Sequence, residues 1–204
     1  RACVGARCRY RGRRCGARVR SADRRRDAVH HRARRVRAAG PRRGAGAVGA
    51  TLAQRVLESA LADVVLVDIL KNVAQAKALD LLDASPIVGH ERDITGTDDY
   101  SHIKSSDIVV ITAGLPRNPG MTRDDLVAKN AAIMKDVSGQ VKTYAPSSIV
   151  IVVTNPLDTM TYLAYKLTNF LKNKVMGMAG VLDGSRFINL IAQELKIPRS
   201  SIET

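Results

Sequence analysis

The sequence predicts an α/β fold, a doubly wound parallel sheet with helices on both faces. Three observations carry that expectation. Short unbroken apolar runs such as Asp63-Val64-Val65-Leu66-Val67-Asp68 and Asp107-Ile108-Val109-Val110-Ile111-Thr112 read as strands buried on both faces. Segments with helical apolar spacing alternate with them along the chain. Each strand then ends in a polar or glycine-rich loop, the arrangement that collects ligand-binding groups along one edge of an open sheet.

Composition divides the chain at residue 43. Residues 1–43 hold 17 Arg, no Lys and only two acids, Asp23 and Asp27, for a net charge of +15, whereas residues 44–204 net −1. The overall +14 therefore belongs to the first segment, and a basic-protein argument for nucleic-acid binding would concern that segment alone. It also holds all three cysteines, Cys3, Cys8 and Cys15, together with His30 and His31. Their C-x4-C-x6-C spacing fits no zinc pattern. With Ser21 as its single serine it makes a poor transit peptide, and with Tyr10 as its single aromatic a poor nucleic-acid tail. Its Arg, Ala, Gly and Pro bias favours an out-of-frame or mis-joined stretch of a GC-rich gene, and a disordered tail is expected. Residues 44–204 lack cysteine, which fits a reducing compartment and a cytoplasmic location, with an organelle as the alternative if the tail is a transit peptide. No apolar run is long enough to span a bilayer.

The elements follow in order. Gly44-Ala45-Gly46-Ala47-Val48-Gly49 matches G-x-G-x-x-G, a turn whose glycines let backbone N–H groups approach a pyrophosphate. A helix follows, with Val48, Leu52, Val56, Leu57 and Ala60 on its apolar face; its positive end faces the phosphates. The strand 63–68 then ends in Asp68, 19 residues beyond Gly49, where a carboxylate accepts from a ribose 2′-hydroxyl and repels a 2′-phosphate. The spacing favours NAD over NADP. The segment Arg35-Val36-Arg37-Ala38-Ala39-Gly40-Pro41-Arg42-Arg43, where the preceding strand belongs, looks too rich in Arg and Pro for a central strand, so the first strand is expected to be missing.

A helix is expected over 72–84 with Val73, Ala76, Leu79 and Leu82 inward, ended by Pro86 and Gly89. A short strand at 93–96 and the strand 107–112 come next. The loop 113–121 breaks all periodicity, and Thr122 with Asp125 forms a capping-box pattern opening a helix to about Tyr144. Strands at 148–154 and 174–179 flank a helix from Pro156 to about Phe170. Asp183 opens a last helix that Pro198 stops. Arg117 and Arg123 straddle Pro119-Gly120 as candidate anion clamps, the alternative being solvated surface arginines. Asp183 and Arg186 share a helix face, the alternative being a surface ion pair.

These motifs, in this order, resemble an NAD-dependent malate dehydrogenase of the lactate-dehydrogenase-like type. The resemblance rests on Gly44–Gly49, Val67-Asp68, Ala113 to Leu126, Val153-Thr154-Asn155-Pro156-Leu157-Asp158 and Gly180-Val181-Leu182-Asp183. It implies an NAD-binding domain of the Rossmann type over 44–180 and the start of a substrate domain over 181–204. Gly44, Ala45, Gly46, Ala47, Val48, Gly49, Asp68, Asn130, Val153, Thr154 and Asn155 would bind NAD. Asn155 would also hydrogen-bond the substrate, Arg186 grip its C1 carboxylate, Arg117 its distal carboxylate, and Arg123 polarise the C2 carbonyl. Asp183 would orient a general-base His of a Gly-Gly-His-Gly segment; His90 and His102 lie outside any such motif, and the 204-residue chain is expected to be a fragment with little or no turnover. Arg at 117 implies the dicarboxylates malate and oxaloacetate, hence carboxylic acid metabolism such as the tricarboxylic acid cycle; an uncharged residue there would imply lactate. A non-catalytic NAD-binding module is the other reading. The resemblance further implies a homo-oligomer, and no membrane or nucleic-acid partner.

Overall fold

The structure is a computed structural model that describes residues 8–10, 13–15, 35–40, 44–116 and 119–203. By contacts the chain divides into two compact units, 1–32 and 33–204. In the first, β1 (Cys8–Tyr10) and β2 (Arg13–Cys15) pair antiparallel, with Cys8 opposite Cys15. A wholly irregular tail is thus corrected at these residues; His30 and His31 lie outside the described ones.

The second unit is built on a six-stranded sheet, ordered β5-β4-β3-β6-β7-β8, in which every pairing is parallel. The strands are β3 (Arg35–Gly40), β4 (Asp63–Asp68), β5 (Ile94–Thr97), β6 (Ile108–Ile111), β7 (Ile149–Val152) and β8 (Val175–Gly177). The first strand is therefore present, against the expectation from its composition. β3 sits at the centre, pairing Val36 with Val64 on one side and with Ile108 on the other. Pairing asks only for backbone N–H and C=O groups, which all of residues 35–40 possess. The sole residue of the stretch without a donor, Pro41, falls beyond the last paired position.

Between the strands run α1 (Ala47–Glu58), α2 (Lys71–Val88), α3 (Arg123–Tyr144), α4 (Leu157–Thr168) and, after β8, α5 (Gly180–Leu195). Period-two alternation along β4 sorts them onto two faces. Val64 joins Ala53, Val56 and Leu57 of α1 and Ala78 of α2. Val65 and Val67 join the larger cluster with Met134, Val137 and Val141 of α3 and Met160 and Ala164 of α4.

Three expected details differ. α1 buries Gly49, Ala53, Val56 and Leu57, while Val48 is exposed and Ala60 lies past the helix at positive φ. α2 buries Ala74 and Ala78 and leaves Val73, Leu79 and Leu82 exposed. The cause is close approach: a Cβ on Gly96 of β5 would overlap the Ala74 carbonyl oxygen, so only alanine fits between helix and sheet there. Of the two expected terminators, Pro86 stays inside α2 and Gly89 ends it, with a left-handed φ of 87°. Finally, α5 starts at Gly180 rather than at Asp183. Among the described residues, no helix is long and apolar enough to cross a membrane.

Candidate cofactor and substrate site

Because all six strands run the same way, their carboxyl ends share one edge. The strand order reverses beside β3: β4 lies on one side and β6 on the other. This is the switch point at which open α/β sheets bind ligands, and the turn Gly44–Gly49 leaves it to enter α1.

Gly46 is the N-cap of α1 in extended conformation and no side chain caps it; the first turn carries no acid. Its backbone N–H groups are therefore available to an anion. Gly49 cannot carry a side chain, since a Cβ would overlap the Gly44 carbonyl oxygen and lie 3.0 Å from Thr112 Oγ1. The third glycine thus keeps the turn folded on itself. The buried Thr112 hydroxyl finds no hydrogen-bond partner among the described residues. An orphan hydroxyl, an uncapped helix start and a glycine cradle fit a polar, anionic ligand.

Asp68 closes β4, only 2% exposed. Its Oδ2 accepts from Ala45 N–H at 2.9 Å and its Oδ1 from Leu70 N–H at 2.9 Å. The carboxylate thus holds the glycine turn directly, a contact that motif spacing does not announce. Close by, burial first and the negative charges of Asp136 and Asp68 next raise the Tyr100 phenol well above its ordinary pKa, so it stays neutral.

At the ends of β6 and β7, Asn130 of α3 is 1% exposed. Its Oδ1 accepts from Leu115 N–H at 2.8 Å, and its Nδ2 donates to Leu115 O at 3.3 Å and to Asn155 O at 2.7 Å. The Thr154 hydroxyl donates to Ala113 O at 2.6 Å. Val153 N–H donates to Ile111 O at 2.9 Å, and the Asn155–Pro156 peptide is cis. The sequence did hold a signal for Asn130 as an internal tie, because it occupies the same helical stripe as Met134, Val137 and Val141.

α3 opens with the expected capping box. Asp125 N–H donates to Thr122 Oγ1 at 3.1 Å, and Thr122 N–H donates to Asp125 Oδ2 at 3.1 Å. The Thr122 hydroxyl and backbone together lower the Asp125 pKa. Arg123 is the first residue of α3; Arg117 lies outside the described residues. Arg186 Nη1 meets Asp183 Oδ1 at 3.2 Å in an exposed pair on α5. The structure thus joins Ala45 to Asp68, and Asn130 to Leu115 and Asn155, whereas Asp183 and Arg186 bond each other. His90 accepts at Nδ1 from Arg92 N–H in the loop before β5, and His102 is exposed on the 3₁₀ turn Tyr100–Ile103.

Comparison with known proteins now decides the family. Residues 43–177 match the model of the lactate/malate dehydrogenase NAD-binding domain. The chain belongs to the lactate/malate dehydrogenase family. It is 51% identical over 160 residues to a malate dehydrogenase of Methanosarcina barkeri, covering 78% of this chain and 52% of that protein. It is 56% identical over 154 residues to a malate dehydrogenase of Nostoc sp., covering 76% and 48% respectively. Among solved structures, apo malate dehydrogenase from Picrophilus torridus superposes with a TM-score of 0.77 at 41% identity, over 82% of this chain and 52% of that one. Lactate dehydrogenase from Cryptosporidium parvum, complexed with lactic acid and the nicotinamide dinucleotide, gives 0.77 at 40% identity, over 84% and 53%. The chain spans about half the length of the curated relatives it matches. The family match begins at residue 43, after β3, and ends at residue 177, the last residue of β8, so it takes in five of the six parallel strands.

Proposed function

We propose that this chain serves the oxidation of L-malate to oxaloacetate with NAD, binding the cofactor along the carboxyl edge of its sheet. The observation that carries the reading is the uncapped glycine turn tied to a buried carboxylate at the end of the neighbouring strand. First-turn N–H groups of α1 would hold the pyrophosphate, and Asp68 would accept from the adenosine ribose. Bound there, NAD would supply the hydride-accepting chemistry for oxidation at C2 of malate. Asn155 hydrogen-bonds the substrate hydroxyl, Arg123 polarises the C2 oxygen, and Arg117 pairs with the distal carboxylate. Arg186 takes the C1 carboxylate in a bidentate pair. It must exchange its Asp183 contact to do so, which costs little because both partners are exposed. Asp183 is then free to orient a histidine base, as the family resemblance implies.

The test begins with NADH titrated into the 204-residue chain and followed by its fluorescence. Saturable binding is expected, with NADPH weaker by at least about tenfold through repulsion of its 2′-phosphate by Asp68. An absence of NADH binding overturns the reading. Protein purified from its natural source should then oxidise NADH with oxaloacetate in preference to pyruvate, and Arg117→Gln should shift that preference toward pyruvate. Equal use of both by the unmodified protein would favour the lactate alternative.

A non-catalytic NAD-binding module is the second reading. It is favoured by the place of His90, whose Nδ1 accepts from Arg92 N–H in the loop before β5. NADH binding without turnover by source-purified protein would establish it. A homo-oligomer belongs to the same proposal, supported by exposed apolar residues on α2 and α5 such as Leu79, Phe187 and Leu190. A cytoplasmic location rests on the cysteine-free stretch 44–204.

A further inference from the structure

The sheet ladder between β6 and β7 ends at the bond from Val153 N–H to Ile111 O. Beyond it the two chains continue as loops, and their peptide groups need other partners to stay in register. Side chains supply them. Thr154 bonds Ala113 O, and Asn130 grips Leu115 at both its N–H and its carbonyl while donating its second amide hydrogen to Asn155 O. A neutral amide has two N–H donors, and both of these are spent on protein carbonyls. The loops approach so closely that a Cβ on Gly114 would lie 2.7 Å from Thr154 Cγ2 and 3.4 Å from Asn130 Nδ2.

We infer that Asn130 is a positioning residue which extends the β6–β7 ladder past the sheet edge, fixing Leu115 against Asn155, and acts on the ligand through those two residues rather than by touching it. The inference rests on the NAD reading for its effect on binding but not for the brace itself. An apolar residue at 130 would pack equally well beside Met134, yet it would leave one N–H and two carbonyls of the strand-end loops without this partner. The distance between the two loops would then be set by packing alone.

The test compares Asn130→Ala with Ser148→Ala in the full chain. Ser148 is also fully buried and also bonds a backbone carbonyl, Ala145 O at 2.8 Å, but at the opposite, amino-terminal end of β7. Amide exchange of Leu115 is read by NMR in the free proteins, and NADH affinity by titration. In Asn130→Ala, exchange at Leu115 should rise and NADH affinity should fall at least about tenfold, the scale of a misplaced binding group. Ser148→Ala should lower thermal stability and leave both readouts within twofold of the unmodified chain, about the scatter of such measurements. If Asn130→Ala does not fold, Gly114→Ala substitutes for it, since the added methyl forces the same loops apart with Asn130 intact. Unchanged NADH affinity overturns the inference. So does weakened affinity with unchanged Leu115 exchange, which would mean direct ligand contact, and so does an equal loss in Ser148→Ala, which would mean general destabilisation. If the unmodified chain binds no NADH, the functional reading fails, and Leu115 exchange alone then decides for or against the brace.

Discussion

The two halves of the sheet are finished to different degrees. On the β3–β4–β5 side, Ala45 of the glycine turn, Asp68 and Ala74 are buried, Ala45 bonding Asp68 and packing with Ala74. On the β7–β8 side, β7 buries Val150 and Val152 against α3 and α4 but leaves Ile149 exposed and Ile151 half-exposed on the opposite face. Met176 of β8 and Val181, Phe187 and Leu190 of α5 are exposed as well. The candidate substrate groups on α5 bond only each other, at 3.2 Å in solvent. The glycine-turn side is therefore preorganised by its own residues, whereas among the described residues Asp183 and Arg186 of α5 are fixed only by each other. On the proposed function, affinity for cofactor should be intrinsic to this chain, and selection of a dicarboxylate would depend on what covers β7, β8 and α5.

The sharpest way to break this contrast is Gly49→Ala. Its methyl would overlap the Gly44 carbonyl oxygen, so the turn must open. NADH binding should fall by about a hundredfold or more, by the scale of a binding group displaced by an ångström, and fluorescence titration checks it. Retained affinity would show that the turn is not preorganised as described. Next comes Asp68→Ala, which leaves the N–H groups of Ala45 and Leu70 without their acceptor. Two unsatisfied donors predict a stability loss of about 2–3 kcal/mol, measurable by urea unfolding, together with weaker NADH binding. A loss of affinity with no loss of stability would confine Asp68 to the ligand.

A smaller effect is expected at Thr122→Ala. Its hydrogen bonds hold the folded pKa of Asp125 below the ordinary carboxylate value. That contribution is present above the ordinary value and is lost as pH falls through the folded pKa. Unmodified and variant chains should therefore differ in melting temperature at neutral pH and converge on acidification. A difference independent of pH would assign the effect to the hydroxyl alone. The smallest change should follow Phe187→Glu. Phe187 is 58% exposed, so the melting temperature of the chain should move by less than the equivalent of about 0.5 kcal/mol. A large drop would reveal that a second copy already covers this face.

Legibility in the sequence followed the range of the chemistry. The run Val64 to Val67, the Thr122–Asp125 box and the end of α3 at Tyr144 are set by local spacing, and each stands where spacing puts it. β3 was illegible because its place at the centre comes from the strands beside it, not from its own side chains. The inward face of α2 was misread for a related reason. Leucine and valine mark an apolar stripe in sequence, but a glycine on β5, 22 residues after Ala74, draws the helix too close for anything larger than alanine. In the candidate site, Asp68 stands at the end of β4 and Asn155 in the loop after β7, where their motifs put them. The bonds from Ala45 to Asp68 and from Asn130 to Leu115 join segments far apart in sequence, and no single motif contains both ends.

Asp68 also bears on how cofactor preference can drift. The carboxylate that would discriminate between the two nicotinamide dinucleotides is the same group that secures Ala45 and Leu70. A lineage changing toward the phosphorylated cofactor could not simply exchange this residue for a neutral or basic one, because the turn would loosen in the same step. It would first need a replacement acceptor for Ala45 N–H, gained while the original preference still held. If Asp68 holds the ribose as proposed, selectivity at this position would thus be protected by architecture as well as by selection on the ligand.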